Sequence, residues 1–281
     1  MPNRSPRKLI DRALGDRYGH AVRSPSDTQT AGGLLRTWRQ KRRLSQMELG
    51  LRAEVSARHL SFVETGRSSP SRELLLHLAE HLDVPLHERN ALLVAAGYAP
   101  VYAESDLDAP PLKAVRSAID RLLAAHEPYP AIVIDRRWNM VAANESIGVL
   151  IEGIAAELLT PPINVLRASL HPEGLAPRIR NLGEWRAHLL TRLSGQVDRT
   201  GDPRLAQLLT ELRAWHPLGN AHRYDGIAVP LRLASSAGEL NLLSTVATFG
   251  AALDVTVADL SIELFFPADA ATRTRLHGLG G

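Results

Sequence analysis

Cysteine is absent from all 281 residues, so disulfides, thiolate catalysis, Cys-ligated zinc and iron–sulfur clusters are excluded. Long apolar runs are missing too: none approaches the roughly 20 residues needed to span a bilayer. The N-terminus is polar and carries no signal-type apolar core, so a cytoplasmic protein with no membrane role is expected. There is no Walker A loop, no GxGxxG after a strand, no HExxH and no GxSxG, so no enzyme activity and no catalytic residues are expected. Aromatic residues are few, at 5%. Acidic residues are scarce in the first 67 positions, where 14 Arg and Lys face 6 Asp and Glu. Residues 68–110 carry two basic and seven acidic groups, and the remainder carries seventeen of each. All the excess positive charge therefore sits at the front, as a phosphate-neutralising surface requires.

A hydrophobic content of 44% fits a folded protein, and the length fits two domains. In the basic stretch Ser45 is placed to N-cap a helix opening Gln46, Met47, Glu48, and Val55 and Ser56 break it. Ser56 then caps a second helix through Val63. Two short helices joined by about four residues are the helix-turn-helix unit, whose second helix enters the major groove. Leu49, Ala53, Val55, Leu60 and Val63 are spaced to pack the pair, leaving Arg58 and Phe62 facing out as a docking surface. Five helices are predicted, at about 33–42, 46–53, 57–63, 72–82 and 86–96. Residues 1–30 read as a flexible basic arm, 31–99 as the helix-turn-helix domain and 100–111, containing AESDLDAPP, as an acidic proline-ended linker.

The run SQMELGLRAEVSARHLSFVETGRSSPS resembles the helix-turn-helix of the phage-repressor-like XRE/Cro regulators. The longer VSARHLSFVETGRSSPSRELLLHLAEHLDVPLHERNALLVAAGYAP resembles a narrower set, the MmyB-like bacterial transcription regulators. That resemblance implies an all-α, five-helix DNA-binding domain followed by an α+β, PAS-like ligand-binding domain with an antiparallel sheet. It implies that Gln46 anchors the second helix to a phosphate and that Ser56, Ala57, Arg58 and Phe62 face base edges of double-stranded DNA. His59 and Arg67 complete the expected DNA-binding set. It further implies an internal ion pair between Arg39 and Glu64. Glu54 stands in the turn where the wider family often has Gly, which leaves the backbone angle there open.

Beyond the linker the pattern becomes mixed, and residues 112–272 are expected to form the second domain, with 273–281 a tail. A helix over 112–125 precedes two short apolar runs, Ala131 to Ile134 and Trp138 to Ala143, around a polar corner. Asn144 is placed to cap a short helix. Leu182, Trp185, Leu189 and Leu193 share one helical face; Asp202 and Pro203 open another helix that presents Leu205, Leu208, Leu209, Leu212 and Trp215. Three strand-like runs follow, at 227–233, 240–249 and 254–266, with Pro230 marking an edge or a bulge.

Trp138, Trp185, Leu212, Trp215 and Phe249 are large groups near Leu-rich helices and are candidate walls of a small-molecule cavity. His188, Leu189 and Arg192 follow on or beside the Trp185 face, and Arg192 suits a carboxylate. The same rings and leucines equally serve as core. The MmyB-like resemblance implies an apolar ligand such as a fatty acid. His77 and His81 read as a solvated or interdomain face, and His171, His216 and His222 as surface groups, so neither metal nor redox cofactor is expected. The functional reading is a homodimeric, sequence-specific regulator controlled by an acyl-chain-like ligand. The alternative is a DNA-tethered module whose second domain binds its twin or a protein such as RNA polymerase.

Overall fold

The computed structural model describes residues 30–215, 228–250 and 252–279, which fall into two compact units. The first holds the residues up to 106 together with 252–258; the second holds 107–250 and 259 onward. The expected arm lies outside the described residues except for Thr30.

Five helices build the first unit: α1 (Ala31–Lys41), α2 (Gln46–Arg52), α3 (Ala57–Glu64), α4 (Arg72–His81) and α5 (Leu86–Ala95). A hydroxyl starts each of the first four. Thr30, Ser45, Ser56 and Ser71 accept from the backbone N–H three residues on, at 3.1–3.2 Å. At Ser45 the exchange is reciprocal, because the Glu48 carboxylate accepts from the Ser45 N–H at 2.7 Å, a complete capping box. Leu35, Trp38, Leu49, Leu60, Val63 and Leu78 meet in one core, while Val55, expected to join them, is half-buried at its edge.

The turn between α2 and α3 settles the backbone at Glu54: its φ is +53°, the left-handed region in which a side chain is strained. Glycine there relieves about 1–2 kcal/mol, against about 0.4–1 kcal/mol of extra unfolded-state entropy. Glu54→Gly is therefore expected to raise the melting temperature by a few degrees, and an unchanged or lower value counts against strain at this turn.

The stretch after α5 is anchored, not a free linker. Asn90 Oδ1 accepts from the N–H groups of Val101 and Tyr102 at 3.0 and 3.1 Å, and its Nδ2 donates to Tyr102 O at 2.8 Å. Residues 103–105 then pair with a distant segment: Val255 N donates to Ala103 O at 2.7 Å, Ser105 N to Asp254 Oδ2 at 3.2 Å, and Thr256 Oγ1 to Ser105 O at 2.6 Å. Val255 and Val257 are buried.

In the second unit α6 (Lys113–Ala125) leads to β1 (Ala131–Ile134) and β2 (Met140–Ala143), the hairpin expected from the sequence. Then come α7 (Gly148–Ile151), α8 (Val165–Leu170), α9 (Leu182–Thr200) and α10 (Pro203–Ala214). The chain continues with β3 (Leu231–Ser235), β4 (Gly238–Thr248), α11 (Val255–Ala258, grouped with the first unit), β5 (Ser261–Pro267) and α12 (Ala270–Leu279). The strands form one antiparallel sheet in the order β2-β1-β5-β4-β3, an α+β fold as expected. Pro230 precedes β3, which is an edge strand and so loses no ladder donor to it.

Three expectations change. The run 254–266 begins as a helix, because Asp254 Oδ1 accepts from Thr256 N at 2.8 Å and opens α11; the strand starts only at Ser261. Asn144 does not cap with its side chain but ties the hairpin base, accepting from Ala131 N at 2.9 Å and donating to Tyr129 O at 2.7 Å. The expected tail is helical to Leu279, since Leu276 enters the core and Thr272 Oγ1 accepts from Asn241 N at 3.0 Å.

Candidate functional site

Most of the expected DNA-binding residues lie along α3 or at its ends. Arg58 and His59 are exposed, Ala57 is half-buried, and Ser56 is an exposed cap whose Oγ accepts from His59 N. Arg67 is exposed just past the helix, its N–H donating to Phe62 O at 2.8 Å. Phe62 is half-buried instead of fully outward, with the Arg58 guanidinium 5.5 Å from its ring centroid. Such a contact holds a long cationic side chain close to an apolar one.

Behind α3 sits the ion pair implied by the family resemblance. Arg39 Nε and Nη2 donate to the two oxygens of Glu64 at 2.6 and 2.8 Å, and Nη1 to Leu44 O at 2.7 Å. Both side chains are buried, at 10% and 3% exposure. Hydrogen bonding to Glu64 raises the Arg39 pKa. Burial alone pushes the Glu64 carboxyl upward, but the hydrogen bonds from Arg39 and Gln46 and the nearby positive charge outweigh it and hold the group below the ordinary carboxylate range. Gln46 is part of this network, its Nε2 donating to Glu64 Oε2 at 2.8 Å.

The second unit contains a cavity of about 80 Å³ between the sheet and the helices that join β2 to β3. Ile132 and Met140 line it from the sheet, Ile147 and Leu150 from the chain after β2, and Leu166 from α8; its polar wall groups are Ser169 and Glu263. Of the candidates from sequence, Trp138, Trp185 and Leu189 line it as well.

The other five do not. Leu212 is a core residue, and Trp215 is half-buried with its ring 4.8 Å from that of His171. Phe249 is half-buried one residue beyond β4. His188 lies against Trp185 with centroids 5.6 Å apart; burial, then the charge of Arg192, lowers its pKa, so the imidazole is neutral at pH 7. Arg192 has its carboxylate already, within the chain: Nη1 donates to Glu263 Oε1 at 2.9 Å. Sequence reasoning missed Glu263, although an acid inside the otherwise apolar SIELFFP is a legible signal.

Trp138 also has a left-handed backbone, with φ +66°, unusual for so bulky a residue. Its Nε1 donates to Gln196 Oε1 at 2.7 Å and its ring lies 4.8 Å from the Arg192 guanidinium carbon. Elsewhere, His77 Nε2 is bonded to Ala53 O and His81 Nδ1 to His77 O. Among the described residues no group of three His, Asp or Glu is placed to hold a metal ion. No described helix is long and apolar enough to cross a membrane.

A five-helix unit with an exposed third helix precedes an α+β unit with an apolar cavity, and the family matches make the chain a DNA-binding transcription regulator. Residues 31–92 match the family described as helix-turn-helix domain, and 115–279 match the MmyB-like transcription regulator ligand binding domain. The chain belongs to the MmyB-like transcription regulators, and neither matched family is enzymatic. A comparison with curated proteins gives no match. Among solved structures, an RNA-binding Light-Oxygen-Voltage Receptor is 16% identical over 100% of this chain and 69% of that one, with a TM-score of 0.25. A likeness that slight says nothing about this fold.

Proposed function

We propose that the protein acts in the cytoplasm as a homodimer on pseudo-palindromic DNA, its two α3 helices reading half-sites ~34 Å apart, under control of an apolar ligand in the second unit. The exposed run Arg58, His59 with Phe62 beside it supports the DNA half. Arg58 is assigned to a guanine edge, a contact worth about 1–3 kcal/mol of discrimination, and Gln46 to a phosphate. Arg58→Ala is expected to relax preference at one base pair, measured by competition binding at fixed salt; unchanged affinity and preference would remove this docking. Gln46→Ala is expected to weaken all sites alike and also to lower stability, because Glu64 loses a donor.

The cavity carries the ligand half. An apolar cavity of about 150 Å³ takes benzene, so one of about 80 Å³ suits the end of an alkyl or acyl chain of a few carbons. A complete fatty acid, the ligand implied by the resemblance, needs neighbouring side chains to yield. Leu189→Trp is expected to abolish uptake of short alkyl probes, followed by ligand-observed NMR, while leaving the first unit's DNA preference intact. Retained uptake would place the ligand elsewhere. The small volume also favours a second reading, in which the unit binds only its twin or a protein such as RNA polymerase. Sedimentation showing dimers, together with no uptake of any probe, would select that reading.

A further inference from the structure

The cavity wall is apolar except for Ser169 and Glu263, and the two differ in what they offer a ligand. Ser169 Oγ already accepts from Trp185 Nε1 at 3.2 Å. Glu263 is 4% exposed. Its Oε1 takes Arg192 at 2.9 Å, and its Oε2 has no hydrogen bond among the described residues.

Glu263 is held by Arg192, a side chain that does not line the cavity. Arg192 donates to the carboxylate and lies over the Trp138 ring, and Trp138 is bonded to Gln196, whose Nε2 donates to Arg136 O at 2.7 Å. The left-handed backbone at Trp138 shows this indole kept in place at a conformational cost. The cavity therefore presents a carboxyl group paired with its own cation through one oxygen, with the other oxygen free to accept.

Resting on the ligand reading above, we infer that the cavity selects an apolar molecule with a neutral hydrogen-bond donor, such as an alcohol or a phenol, over one bearing a carboxylate. A hydroxyl entering the cavity satisfies Oε2. A carboxylate meets a like charge whose counter-ion is committed, and a group without a donor gains no hydrogen bond from Oε2.

Three four-carbon probes of similar size separate the possibilities: 1-butanol, 1-chlorobutane and butanoate, titrated into the full chain at pH 7 and followed by ligand-observed NMR. The alcohol is expected to bind at least ~10-fold more tightly than either of the others, the scale of a hydrogen bond to a charged group. Replacing the pair together, Arg192→Leu with Glu263→Leu, avoids stranding one charge. This double variant is expected to lose the alcohol's advantage while still taking up 1-chlorobutane. Equal binding of alcohol and chloride by the wild type overturns the inference and leaves the ligand cavity standing, as does tightest binding of butanoate. Uptake of none of the three removes the ligand reading and this inference with it.

Discussion

Glu64→Gln is expected to destabilise the first unit by about 3–5 kcal/mol, because it leaves the Arg39 guanidinium buried without its counter-charge. Domains have only about 5–15 kcal/mol in total, so the loss is a large part of the whole. DNA binding should fall through unfolding, with the α3 surface chemically unchanged. The pH dependence follows from the depressed Glu64 pKa. A carboxyl whose folded value lies below its unfolded value contributes fully above about pH 4.3, and its contribution vanishes as pH falls through the lower, folded value. The gap between wild type and variant should therefore narrow below about pH 4 in urea titrations. Equal denaturation midpoints at pH 7 would show that the pair does not stabilise the domain.

Gly50→Ala should also be damaging, for a steric reason. A Cβ on Gly50 would fall on the Val55 carbonyl oxygen, with the Ala57 nitrogen 3.4 Å and Leu60 Cδ1 3.6 Å away. The first two are backbone, so no rotamer change makes room, and the turn has to open. Overpacking of this kind costs about 1–3 kcal/mol and occasionally more. The greater effect is expected on DNA binding, since α3 moves relative to α2. Circular dichroism melting and DNA binding together test this: a variant that melts and binds like wild type means the α2–α3 approach is looser than described. Gly32 stands in the same relation to the Val63 carbonyl.

The first unit was legible because its signals are local. Ser45 and Ser56 each sit directly before a helix and bond three residues ahead, so cap and helix are read within a few positions. Arg39 and Glu64 are 25 residues apart and were reached only through the family resemblance. In the second unit, 254–266 looked like one strand because Val255 and Val257 alternate with polar residues, a period shared by a strand and a single short helical turn. The cavity was half legible. Trp185 and Leu189 follow from helical spacing, but Ile132, Ile147 and Leu166 come from different elements that meet only in three dimensions. Arg192 was expected to meet a ligand's carboxylate, but the carboxylate it pairs with is Glu263 on β5 of the same chain.

The pairing of residues 103–105 with 254–256 bears on synthesis at the ribosome. Ser105 and Asp254 are 149 residues apart, which at about 5–20 residues per second is roughly 7–30 s of translation. Throughout that interval the five helices have been synthesised, but the segment carrying Val255 and Val257 has not been made. The helix-turn-helix unit thus stays incomplete until β4 has been translated, and a nascent chain stalled before residue 252 should give its first unit up to protease sooner than the finished protein does.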